Sequence, residues 1–135
     1  MLRKVTVAVA TLVMTAGLAN AGGLKVEGKN QDMSGGTVTA DKIVAGENGW
    51  MVVHRIKENG KPGPVVGHSP LKAGVNTNVT AILTGKVEKG EKVMLMLHAE
   101  KGGVETGIFE YTLGAKEDGP IKVDGSLVMQ IVEAL

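Results

Sequence analysis

Beyond residue 21, no window of this chain holds an apolar i, i+3, i+4, i+7 face for three turns. A helix built from such a sequence has no stripe to bury. What recurs instead is a short alternating or β-branched run closed by a turn, with 20 glycines spread over 135 residues. Such a pattern predicts an all-β chain whose strands pair antiparallel and fold into two layers.

The expected runs are Leu24–Glu27, Thr37–Val44, Gly49–Lys57, Pro64–His68, Val75–Leu83, Glu91–Ala99, Ile108–Leu113 and Gly125–Leu135. Asn59-Gly60 between the third and fourth is a hairpin signal. Pro62 and Pro64 limit ladder pairing and place the next strand at an edge. With some runs splitting in two, the count is seven to nine strands, a single Ig-like antiparallel β-sandwich.

The stretch Glu91–Pro120 is the densest in apolar, histidine and acidic residues. Val93, Leu95 and Leu97 alternate with Met94, Met96 and His98, so both faces of this strand are suited to burial. Gly49–Lys57 is also expected in the middle of the fold, with its Trp50, Val52, His54, Ile56 face buried and its Met51, Val53, Arg55, Lys57 face turning polar toward its end. Core candidates are Val52, Val79, Ile82 or Leu83, Leu95, Leu97 and Leu127.

The first 21 residues have another purpose. Arg3 and Lys4 precede the uncharged run Val5–Leu18, and Ala19-Asn20-Ala21 is a small-x-small cleavage pattern. Together they read as a signal peptide over 1–21, with one domain over 22–135. The 14-residue run falls short of the roughly 18 residues that a membrane-spanning helix needs. The domain is therefore expected outside the cytoplasm, periplasmic or extracellular, with no membrane span after cleavage. Without Arg3 and Lys4 it carries 13 basic and 14 acidic residues, a net charge of −1. Neither a basic stripe nor an aromatic platform is present for nucleic acid.

The absence of cysteine removes disulfides, thiol catalysis, thiolate zinc, iron–sulfur and blue-copper chemistry. Ser34, Ser69 and Ser126 are the only serines, and Ser69 beside His68 points to the opposite face of an extended chain. No nucleophile, base and orienter assemble, so no enzyme is expected. The loop Glu100–Gly107 offers only Glu100 and Glu105 to a calcium ion, fewer oxygens than calcium requires. Asn78-Val79-Thr80 is a glycosylation sequon lying in an expected strand.

The histidines carry the remaining chemistry. His54 and His98 sit near the ends of the two central strands, Met94 and Met96 share a face with His98, and Met51 lies near His54. Imidazole with thioether suits copper(I). Against this stands the reading of two hydrogen-bonded core histidines with methionines filling gaps. Ring nitrogens more than about 6 Å apart, each bonded to a backbone carbonyl, would favour the core; rings that face one another and reach solvent would favour a site. His68 is expected on the surface.

The chain also resembles an uncharacterised family of exported and cell-surface domains from bacteria and halophilic archaea. The resemblance runs through Gly49-Trp50-Met51-Val52-Val53-His54, Gly63-Pro64-Val65-Val66-Gly67 with Ser69, Ala73-Gly74 with Asn78-Val79-Thr80, and Met96-Leu97-His98-Ala99-Glu100. It continues through Gly107-Ile108-Phe109-Glu110-Tyr111 and Asp118-Gly119-Pro120. It implies an Ig-like sandwich, often attached to larger surface proteins, with no associated activity and with both histidines within the family pattern. Many members have an Asp- and Asn-rich loop after the second histidine that suits calcium. Here Glu100-Lys101-Gly102-Gly103 stands in its place.

Three functional expectations follow. The first is a secreted or periplasmic non-enzymatic binding or interaction module, its surface near the strand edge Pro62–Ser69 and its partner a protein or cell surface. The second is a periplasmic copper-binding protein using His54, His98 and Met96, with Met94 or Met51 as a further ligand. The third is a subunit of an extracellular assembly joined by strand addition.

Overall fold

The computed structural model describes residues 23–135, so the expected signal peptide lies outside the described part. Nine strands follow in order: β1 (Lys25–Gly28), β2 (Thr37–Ala45), β3 (Gly49–Ile56), β4 (Pro62–Leu71), β5 (Gly74–Ile82), β6 (Lys92–Ala99), β7 (Lys122–Val123), β8 (Ser126–Leu127) and β9 (Met129–Glu133). No helix occurs among the described residues. One sheet has the order β1-β2-β5, the other β4-β3-β6-β9, and β7-β8 is a small hairpin. Every strand pairing is antiparallel.

The two sheets bury a shared apolar layer. Val38, Ala40 and Ile43 of β2 and Val79 and Ala81 of β5 join one core with Met51 and Val53 of β3, Val93, Leu95 and Leu97 of β6, and Val132 of β9. The inward face of β3 is therefore Met51 and Val53, not the Trp50, Val52, His54 face expected from the sequence. That other face is buried as well, from the far side of the sheet. Alternation could not assign the inward face because β3 and β6 are covered on both sides. Val52 is buried on this second face, opposite Met96. Ile82 ends β5 opposite Thr37 and is 73% exposed, while the next residue, Leu83, packs against the core. Leu127 is half-buried and Val128 takes the core position.

The seams between the sheets are closed by backbone. The Thr84 N–H donates to the Val66 carbonyl at 2.8 Å across the β4 edge. On the other side, Gln31 N–H donates to Glu133 O at 3.0 Å and Leu135 N–H to Gln31 O at 2.8 Å. The edge around Pro62–Ser69 is thus partly occupied by the chain itself, leaving less room for an added strand.

Gly49 opens β3 beside the backbone of β6, opposite Ala99. A Cβ built there would lie 2.3 Å from the His98 carbonyl oxygen. Gly49→Ala must push two central strands apart, an overpacking cost of about 1–3 kcal/mol. A lowered thermal midpoint is expected. Gly46→Ala, whose Cβ meets only the Leu24 side chain at 3.6 Å, serves as the near-neutral comparison.

Candidate metal site under a loop lid

Register brings the two histidines onto one face. Trp50 pairs with His98, Val52 with Met96 and His54 with Met94 across β3 and β6. The Val52–Met96 pair lies midway between the histidines, which lean toward each other over it. Their Nε2 atoms are 3.1 Å apart. His54 is 1% exposed and His98 0%.

The cover over this face is the segment from Glu100 to Ile121, between β6 and β7. The sequence predicts a strand over Ile108–Leu113; the segment is irregular there instead. Its apolar residues serve different ends: Tyr111 turns inward while Ile108 and Leu113 stay exposed at 53% and 48%. The Tyr111 ring lies edge-on to His98 at 4.7 Å and to His54 at 5.9 Å. Phe109 sits between His98, at 6.3 Å, and the exposed His68, on which it stacks at 4.5 Å. His68 is in β4 rather than in a loop and also meets Trp50 edge-on at 5.6 Å. The chain's one Trp, one Tyr, one Phe and three His all belong to this single cluster.

Asp118 locks the lid down. Its Oδ1 accepts the Lys101 N–H at 2.9 Å and its Oδ2 the Glu110 N–H at 2.8 Å. Its own N–H donates to Lys101 O at 2.9 Å. The residue is fully buried with φ of 46°, a left-handed conformation that Asp and Asn tolerate best after glycine. Beyond it, Ala99 N–H bonds to Gly119 O and Ile121 N–H to Leu97 O, so the lid returns alongside β6.

Counting protons on the histidines decides what the pair can do. His54 Nδ1 is 2.8 Å from the Gly63 carbonyl and His98 Nδ1 is 2.6 Å from the Asp118 carbonyl. A carbonyl only accepts, so both Nδ1 atoms must carry hydrogen. A neutral imidazole has one N–H, so both Nε2 atoms then present lone pairs to each other. A bond across the third contact would need a proton or a metal ion between the two lone pairs; without one they face each other unbridged. A proton would place a charge in a dry pocket. Burial holds His98 down to about 4, with the neighbouring His54 adding to that effect and the Asp118 carbonyl and charge opposing it. Burial lowers His54 in the same direction, against its bond to Gly63. Burial thus disfavours a proton between the rings at neutral pH. An ion held between the rings would take one bond of about 2.0 Å from each Nε2. Outer N–H groups held by carbonyls are the arrangement that orients ligating histidines.

The remaining donors are soft. Among the described residues no three His, Cys, Asp or Glu side chains converge. Met96 and Met94 are buried on the histidine face and are not members of the inter-sheet core. Met51, weighed as a further ligand, belongs to the opposite, inter-sheet face. The lid carboxylates accept hydrogen bonds from neighbouring N–H groups, while the buried Glu110 Oε1 has no partner among the described residues. Glu100 Oε1 accepts from Trp50 Nε1 at 3.1 Å and Gly107 N–H at 3.3 Å, and Glu110 Oε2 accepts from Val104 N–H at 2.8 Å.

The sequence singled out His54, His98 and Met96 but not the lid: Tyr111, Phe109, His68 and Asp118 were absent from the expected site. The one available signal was composition. In a chain with so few rings, Phe109 and Tyr111 two residues apart, after the second histidine, mark a segment with something to cover.

Fold and site together define a class: an antiparallel β-sandwich with one sheet roofed by a loop and an imidazole pair sealed beneath. The chain belongs to the family described as a domain of unknown function, DUF7282, whose model matches residues 24–134. Searches of curated proteins and of solved structures return no match.

Proposed function

We propose that this domain is an exported, non-enzymatic binding module that holds copper(I) between His54 and His98, with the Met96 thioether as third donor. One observation carries the reading: two buried Nε2 atoms lie 3.1 Å apart while each Nδ1 contacts a backbone carbonyl. The soft donor set favours copper(I) over calcium or magnesium, which seek oxygen. The signal-like N-terminus supports export, and the absence of a nucleophile set supports a role in binding rather than catalysis. The partly closed strand edge makes the histidine site the stronger candidate over strand addition.

Competition with a chromophoric copper(I) chelator tests it. The wild-type protein is expected to take one equivalent. His54→Asn and His98→Asn keep a side-chain N–H for Gly63 O or Asp118 O but lose the facing lone pair. Each should weaken binding by more than the roughly 10- to 100-fold typical of losing an outer partner. Met96→Leu preserves volume and fold and should weaken copper(I) while leaving zinc(II) unchanged. Wild-type protein that fails to compete, or Asn variants that bind as tightly, would overturn the assignment.

A further inference from the structure

The two histidines are oriented by different parts of the molecule. The carbonyl that receives His54 Nδ1–H belongs to Gly63 in β4, part of the sheet itself. The carbonyl that receives His98 Nδ1–H belongs to Asp118, in the lid. The same Asp118 clamps the lid's two other arms through the Lys101 and Glu110 N–H groups. With both rings at or below 1% exposed, a metal ion reaches them only when this cover lifts. Lifting it takes away the acceptor that keeps the His98 proton on Nδ1. The ring is then free to carry its proton on Nε2, where it cannot ligate.

We propose that Asp118 is the positioning residue that makes ligation by His98 conditional on lid closure. The inference rests on the copper reading above for its consequence, but the control of the His98 tautomer stands on the geometry alone. Closure presents the Nε2 lone pair, and a bound ion in turn favours the closed lid, since such coupling is reciprocal.

Nitrogen-15 NMR of the imidazoles in metal-free protein reads the tautomers directly, and Asp118→Asn is the variant. Asn tolerates the left-handed backbone, but its amide turns an N–H toward Lys101 or Glu110 in place of an acceptor. In the variant His98 is expected to become a mixture of tautomers while His54 stays protonated on Nδ1. Copper(I) affinity should fall about 10- to 100-fold. In wild-type protein, loading with copper(I) should slow hydrogen exchange at the Lys101 and Glu110 amides and leave Gly36 unchanged. A His98 that stays wholly Nδ1-protonated in Asp118→Asn, with unaltered affinity, would reduce Asp118 to a structural clamp and overturn the proposal. So would lid amides indifferent to copper(I) in a protein that binds it, a measurement that needs no variant to fold. If wild-type protein binds no copper(I) yet its His98 tautomer still follows Asp118, the functional reading fails and the positioning role survives.

Discussion

Leu95→Asp leaves the chain unfolded at neutral pH. Leu95 is fully buried on the inter-sheet face of β6, paired with Val53 on one side and Gln130 on the other. Its removal forfeits about 1.5–3 kcal/mol of apolar burial. The carboxylate that replaces it has no cationic neighbour in an aliphatic layer, and an uncompensated buried charge costs several kcal/mol more. Domains of this size have only about 5–15 kcal/mol in total. Circular dichroism should show loss of the strand signal and no cooperative thermal transition. Val104→Asp, at a lid position 93% exposed, should melt with the wild type. A folded Leu95→Asp protein with an unchanged midpoint would mean that the layer between the sheets is not where the stability lies.

The metal-free protein loses stability as pH falls from 6.5 toward 4. His98 titrates at about 4 when folded and near 6.5 when unfolded. Over that window the unfolded chain binds a proton that the folded chain refuses, so acid favours unfolding. The slope is about 1.4 kcal/mol per pH unit for each such histidine. His98 alone accounts for roughly 3 kcal/mol over the full window. His54 acts with the same sign. The exposed His68, lowered by its partial burial, adds a smaller effect of that sign. Chemical denaturation across the pH range gives the curve, and His98→Asn should flatten it. A wild-type stability independent of pH between 5 and 6.5 would contradict the burial of neutral imidazoles.

Much of the fold was legible in the residues. Each expected strand from Leu24 to Ala99 lies within a few residues of an observed one, because period-two alternation and turn chemistry are local properties of the chain. Both histidine-bearing strands were expected in the middle of the fold, and there they pair directly. Which face of β3 points inward was not legible. Trp50, Val52 and His54 look more core-like than Met51 and Val53, yet they lie under the lid. Ile108–Leu113 failed as a strand for a related reason. Its apolar residues are placed by what they cover, and no ladder partner is available to them.

The candidate site divides along the same line. Composition and alternation were enough to put His54, His98, Met94 and Met96 on central strands and to remove thiolate chemistry. That is because side-chain identity and period are written directly into the chain. Only the assembled fold could set two Nε2 atoms 3.1 Å apart, bring Asp118 from 20 residues downstream to hold one of them, and seal both from water. Those relations depend on strand register and loop path, which are settled by the packing of distant segments against each other.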